Sequence, residues 1–365
     1  MKQQATSHPQ SSRTAVFAAA AAAYVGWRLV RRRGDDIVGD VVLITGGSRG
    51  LGLLLAKEFA ARGCRLVICA RDEPELARAA RELRAGGAVV MSISCDVSRR
   101  EQVEEMVQRA TERFGRIDTL VNNAGIIQVG PLASMTISDF ERAMDVMFWG
   151  ALYPTLAVLP QMLDRRRGRI VNITSIGGKV AVPHLVPYDA AKFALVGLSQ
   201  GLRAELKKDG ISVTTIVPGL MRTGSPVQAR FKGDQEKEFT WFSLASATPL
   251  TTISAERAAK RIVEAARRGE AEVTLSWQAK ALRLTHDLFP GAVSDLLSIV
   301  NRVLPSGTGE NEAPGMRLAT ALAPSRLTGL MNRAAIRNNE FGGSVRPSTE
   351  HAEKVGLEGH RPGTR

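Results

Sequence analysis

The stretch Val41-Val42-Leu43-Ile44-Thr45-Gly46-Gly47-Ser48-Arg49-Gly50-Leu51-Gly52 decides the fold. Five apolar or β-branched residues without polar alternation read as a strand buried on both faces, the habit of parallel sheets. The turn that follows has glycine at 46, 50 and 52, and a helical period begins near Leu51. Glycines so placed allow a tight turn, close approach of the backbone to a pyrophosphate, and close packing of helix on strand. The helix N-terminus adds N–H groups that the helix itself leaves unpaired, which suits an anion. Thr45, Gly46, Ser48, Arg49, Gly50, Leu51 and Gly52 are therefore candidate phosphate-binding residues.

Outward from this turn, short runs rich in Val and Ile alternate with longer segments of helical period. The runs are 41–45, 65–70, 88–93, 119–122, 169–174, 212–217 and 272–275. Helices are expected at 51–62, 73–85, 99–114, 136–165, 188–208 and 254–268. That alternation predicts βαβ units and one α/β domain built on a doubly wound parallel sheet of about seven strands. Residues 219–253 break the rhythm with Phe231, Phe239, Trp241 and Phe242, and a connection that long reads as a lid over a substrate.

The second run ends Cys69-Ala70-Arg71-Asp72. A ribose 2′-hydroxyl calls for an acid at the end of this strand, whereas a 2′-phosphate calls for cations. Arg71 and Arg49 supply two guanidinium forks, so NADP(H) is the expected dinucleotide. NAD(H) is the alternative if Asp72, and not Arg71, faces the ribose.

Tyr188-Asp189-Ala190-Ala191-Lys192 opens a predicted helix, and the i, i+4 spacing puts Tyr188 and Lys192 on one face. A nearby ammonium is expected to lower the phenol pKa and fit the tyrosine for proton exchange with an alcohol or carbonyl. Ser175, at the end of the preceding strand, can hold the same substrate oxygen.

In chain order stand the glycine turn, Asn122-Asn123-Ala124-Gly125, Ser175, Tyr188 with Lys192, and Pro218-Gly219 followed by Thr223. Over residues 40 to about 275 this combination strongly resembles the short-chain dehydrogenase/reductase family. The resemblance implies a Rossmann-type fold and a nicotinamide cofactor. It implies Tyr188 as general acid/base, supported by Lys192 and Ser175, and both Tyr188 and Lys192 within reach of the cofactor. It further implies Asp96 and Val97 beside the adenine, Asn122, Ala124 and Gly125 near the cofactor, and Pro218, Gly219 and Thr223 around the carboxamide. A homodimer or homotetramer paired through the two long helices is the family expectation. One position departs: where members usually carry a catalytic asparagine, this chain has Met147, and no asparagine occurs from Ala124 to Val171. A thioether cannot replace an amide that holds a relay water. The competing reading is a catalytically weak, membrane-associated nucleotide-binding scaffold.

Around this domain of 34–275 lie extensions. The 365-residue chain carries a net charge of +13, and residues 1–33 hold six bases and no acid. Within them Ala15–Trp27 is a run of 13 small or apolar residues, shorter than the roughly 20 that span a bilayer. Arg28 and Arg31-Arg32-Arg33 follow it, so 15–30 reads as a membrane anchor that leaves the catalytic domain on the cytoplasmic side. A loose alanine-rich helix and a cleaved signal are the alternatives. Charge placed there suits an anionic membrane surface, and with aromatics at 5% no nucleic-acid partner is expected. Cys64, Cys69 and Cys95 show neither disulfide nor metal spacing, His8, His184, His286, His351 and His360 form no ligand set, and an intracellular, metal-free protein is expected. Residues 276–305 carry apolar residues at helical spacing, from Trp277 to Leu304, and read as an amphipathic helical extension packed on its own domain or on a partner subunit, with a membrane-facing or lid element as the alternative. The remainder, 306–365, reads as a mostly irregular tail. Lid, helical extension and anchor together suggest an apolar carbonyl or alcohol substrate of lipid, steroid, retinoid or fatty-acyl character.

Overall fold

A computed structural model describes residues 36–247, 252–321 and 339–340; the candidate anchor at 15–30 lies outside them. The first half runs β1 (Val41–Thr45), α1 (Gly50–Ala60), β2 (Arg65–Ala70), α2 (Glu73–Ala85), β3 (Val90–Ser94), α3 (Arg100–Phe114) and β4 (Thr119–Asn122). Then come β5 (Gln128–Val129), α4 (Ile137–Met144), α5 (Gly150–Asp164), β6 (Gly168–Ile173), α6 (Val186–Leu206) and β7 (Ile211–Val217). The last third holds β8 (Met221–Arg222), α7 (Ser225–Gln228), β9 (Arg230–Phe231), α8 (Gln235–Ala247), β10 (Ile253–Ser254), α9 (Ala255–Arg267) and β11 (Glu272–Thr274). The chain continues with α10 (Trp277–Leu288), α11 (Pro290–Asn301), β12 (Ala313–Pro314) and α12 (Gly315–Ala321).

Seven strands form the main sheet in the order β3-β2-β1-β4-β6-β7-β11. All six pairings are parallel, with Ile44 opposite Ile68 on one side and Val121 on the other. Strand order reverses between β1 and β4, and such a switch point opens a crevice at the carboxyl ends of the strands. Because side chains alternate along a strand, Val42, Ile44, Leu66 and Ile68 face α1, α2 and α9, while Val41, Leu43, Val67 and Cys69 face the opposite layer. Both faces are dry, which is why β1 carries no polar alternation.

The amino ends of the central strands β1 and β4 are anchored by charge. Asp118, just before β4, accepts from the Val41 N–H at 2.9 Å and pairs with Arg116 and Arg165 at 2.9 and 2.8 Å. Burial alone would raise its pKa, but the Val41 N–H and the two guanidinium groups more than offset this and hold it low.

Three expectations are modified. The helix over 136–165 is interrupted at Asp145–Trp149 by a π-turn between α4 and α5, with Pro154 one turn further on. The long connection at 219–253 has its own elements, β8 to β10, and its aromatics build a separate core in which Phe231 meets Phe239 and Phe242 edge-on. Part of the stretch read as irregular packs on this core: β12 pairs antiparallel with β9, and Glu312 salt-bridges Arg142 and Arg230. In contrast α10 and α11 bury Ala279 and Val293 but leave Trp277 72% exposed, with Leu284, Leu288, Phe289 and Leu296 also open.

Replacing Asp118 with alanine should lower unfolding free energy by about 3 kcal/mol in urea titrations. It leaves a buried N–H unpaired and removes the partner of two guanidinium groups that remain partly hydrated.

Candidate active site

At the switch point Thr45 and Asn123 lock β1 to β4. The Thr45 hydroxyl accepts from the Asn123 and Ala124 N–H groups at 3.0 and 3.1 Å, and Asn123 Nδ2 donates to the Thr45 and Gly46 carbonyls at 3.0 and 3.1 Å. Gly46 takes φ +65, and a Cβ on Gly52 would lie 2.0 Å from the Gly46 carbonyl oxygen. Only glycine allows α1 to come that close to the turn.

This turn borders a cleft of about 1090 Å³. Gly46, Ser48, Arg49, Gly50, Leu51 and Gly52 line one side, Arg71, Asp96 and Val97 another, and Ala124, Gly125 and Thr223 a third. A glycine cradle at the start of α1 within an open cleft fits the pyrophosphate of a dinucleotide. Asn122 is placed elsewhere: its Nδ2 donates to Asn172 at 2.8 Å and Thr155 at 3.1 Å inside the sheet, and Asn123 lines the cleft instead. Thr45, Pro218 and Gly219 also do not line this cleft. Pro218 accepts from the Ile176 N–H at 2.7 Å, and a Cβ on Gly219 would meet Ser276 Oγ at 2.7 Å.

The two arginines are not equivalent. Arg49 is paired with buried Glu75 at 2.7 Å, and the Ser48 hydroxyl donates to the other oxygen of the same carboxylate. Arg71 is 62% exposed at the cleft edge, 4.0 Å from Asp96, whose other oxygen accepts from the Ser98 N–H and hydroxyl. Asp72 is engaged as the N-cap of α2, accepting from the Glu75 N–H at 2.8 Å. Glu75 was not legible as a site residue, since nothing in its position on α2 marks it as the partner of the glycine turn.

Ser175 lies just past the end of β6, where its Oγ accepts from the Gly177 N–H at 3.0 Å and stands beside the Tyr188 phenol. Pro187 sits in the first turn of α6, which brings Tyr188 round beside the end of β6. One turn on, buried Lys192 donates to the Ile173 carbonyl at 2.9 Å, with its Nζ 5.7 Å from the centre of the Tyr188 ring. A Cβ on Gly125 would be 3.8 Å from both Lys192 Nζ and Met147 Sδ. Gly125 is therefore where the cleft meets the catalytic candidates. Met147, fully buried in the π-turn, lies at this same junction.

The charges differ from the sequence expectation. Burial pushes the Tyr188 phenol up to about 12, with the Ser175 bond opposing and Asp189 adding to the rise. Burial likewise brings Lys192 down to about 8. Without cofactor, desolvation outweighs the attraction between phenolate and ammonium. Neutral phenol and mostly charged ammonium are the resting forms at pH 7. Asp189 rises to about 8, again through burial, with the Val182 N–H opposing. His184 is buried, and its Nδ1 lies 2.7 Å from Glu238, which also accepts from Trp241 Nε1 at 2.6 Å. No group of metal-ligating side chains occurs among the described residues.

The sequence profile of the short chain dehydrogenase family matches residues 40–232. A curated relative, 11-beta-hydroxysteroid dehydrogenase A of Sesamum indicum, is 38% identical over 247 residues, covering 66% of this chain and 69% of its own. A short-chain dehydrogenase/reductase from Burkholderia phymatum, solved in complex with NAD, superposes with a TM-score of 0.64 at 26% identity, covering 70% of this chain and 96% of that one. A single-residue variant of an actinorhodin polyketide ketoreductase, solved with NADPH, gives 0.58 at 28% identity, over 65% and 95%. The chain belongs to the short-chain dehydrogenase/reductase family. It is an NAD(P)-dependent oxidoreductase acting on CH–OH or C=O groups.

Asp189 gives this site a pH signature. A carboxyl whose folded pKa exceeds its unfolded value stabilises the fold below the unfolded pKa, and that contribution fades as pH rises through the folded one, here from about 4 to about 8. Asparagine mimics the protonated form. Asp189→Asn should therefore flatten the decline in stability between pH 5 and pH 8, by up to about 1.4 kcal/mol per pH unit. Parallel urea titrations of the two proteins check this, and equal slopes would contradict it.

Proposed function

We propose that the protein is an NADPH-linked reductase of apolar carbonyl compounds. The observation that carries the reading is the Tyr188 phenol beside Ser175, with Lys192 Nζ 5.7 Å from the centre of its ring. The nicotinamide supplies the hydride when bound. In this reading Ser175 holds the substrate oxygen, Tyr188 donates its proton to that oxygen as negative charge develops, and Lys192 stabilises the tyrosine that has given up its proton. A phenol raised to about 12 rests as a proton donor at neutral pH, the form a reduction begins from. Lys192 bonded to the Ile173 carbonyl supports a relay made from backbone and water where relatives use asparagine, with Met147 tolerated beside it.

Preference for NADP(H) over NAD(H) is supported by the absence of an acid at Ala70, by exposed Arg71 at the cleft edge, and by the engagement of Asp72 as a helix cap. An apolar substrate is supported by the aromatic core of β9 and α8. Leu185, which leads into Tyr188, packs on it, and Trp241 meets His184 edge-on. Trp149, Leu156 and Phe193 remain exposed on α6 and on the segment leading into and along α5, which supports homodimer or homotetramer assembly through these helices. The open apolar faces of α10 and α11 support membrane association alongside the basic N-terminal segment, with the domain on the cytoplasmic side.

In NADPH-oxidation assays over a panel of apolar and small polar carbonyls, turnover should favour the apolar ones. Tyr188→Phe should lose at least about a hundredfold in kcat while NADPH still binds. A panel on which only small polar carbonyls react, or an unaffected phenylalanine variant, would overturn the reading. Arg71→Ala should weaken NADPH by about tenfold or more and NADH little, with Arg49→Ala adding to the difference; equal losses for the two dinucleotides would remove the phosphate assignment.

A further inference from the structure

Of two described residues far along the chain, Glu340 lines the dinucleotide cleft and Asn339 is bonded to the backbone beside it. Asn339 Nδ2 donates to the Ser48 carbonyl at 2.9 Å and the Glu75 carbonyl at 3.3 Å, and its Oδ1 accepts from Arg78 Nε at 3.3 Å. Its φ of +58 is a left-handed conformation that asparagine tolerates better than most residues. Glu340 is only 2% exposed; its Oε1 accepts from the Gly224 N–H at 2.8 Å, and its backbone carbonyl accepts from Gln228 Nε2. That same Oε1 would be 3.1 Å from a Cβ on Gly50, the first residue of α1. A side-chain anion is thus held between the glycine turn and the segment after Thr223, the two walls expected to grip a dinucleotide.

We propose that Asn339-Glu340 is a built-in competitor for the pyrophosphate part of the dinucleotide site, so that cofactor binding requires release of this segment. The inference rests on the nicotinamide-cofactor reading of the cleft. The contacts are specific to both residues: the amide reads two carbonyls of the glycine turn and α2, and the carboxylate accepts from the Gly224 N–H beside the first residue of α1. Burial raises Glu340 to about 7, opposed by the Gly224 N–H and Arg49 and reinforced by Glu75. Asn339 and Glu340 hold the site through a handful of hydrogen bonds, so cofactor affinity includes the work of displacing these two residues.

The test measures NADPH and NADH dissociation constants by titration calorimetry for the full chain, for Glu340→Ala and for a chain ending at residue 338. Both variants should bind dinucleotide at least about tenfold more tightly than the full chain. A peptide of residues 335–345 added to the shortened chain should compete with NADPH, and the same peptide with alanine at 340 should compete much less. Hydrogen exchange adds a readout independent of truncation: the Gly224 amide should be protected in the full chain and lose that protection in Glu340→Ala. Unchanged or weakened dinucleotide binding in both variants overturns the competitor while leaving the cofactor reading intact. Absence of dinucleotide binding in every form overturns the cofactor reading and the proposal with it.

Discussion

The clasp between Thr45 and Asn123 is the contact on which the site depends. A parallel sheet with layers on both faces has no edge at which a ligand can reach its strands except where strand order reverses, and here that place lies between β1 and β4. There the hydroxyl of Thr45 and the amide of Asn123 close four hydrogen bonds between the two strand ends. They hold the glycine turn open toward the cleft and fix Ala124 and Gly125 as its far wall. Gly52 completes the arrangement from the helix side, since any side chain there would strike the Gly46 carbonyl. Backbone N–H groups are thereby aimed at an anion by packing, with no cation required in the turn itself.

Desolvation sets the charge state of the catalytic candidates. Tyr188, Asp189 and Lys192 share one helical turn, and in each burial shifts the pKa toward the neutral form. For the tyrosine this yields a proton donor at rest. For the lysine it leaves the ammonium close enough to titration to respond to the phenol's state. Asp189, bonded to the Val182 N–H, ties the loop containing His184 to the start of α6, so the loop that borders the aromatic core moves with the catalytic helix.

Much of the fold was written in local pattern. Continuous apolar runs marked the strands because both faces of the sheet are buried, and all seven are found within about two residues of the expected bounds. The π-turn at Asp145–Trp149 was hidden because it inserts into a helix without changing its apolar period. The packing of 306–321 was hidden because it rests on two-residue strand pairings and on Glu312 finding arginines about 80 and 170 positions away. Composition carries no trace of such contacts.

The sequence by itself determined the chemistry on offer: a glycine turn after a buried strand, a serine at a strand end, and a tyrosine and lysine one helical turn apart. These are local properties, set by periodicity of 2 and 3.6 residues and by the conformational freedom of glycine. Tertiary structure alone decided which groups meet. It paired Arg49 with Glu75, turned Asn122 inward and Asn123 toward the cleft, put Met147 beside Gly125, and seated Glu340 against Gly224. Each of those outcomes depends on long-range packing and on the desolvation that comes with it, and neither is a property of any short stretch of chain.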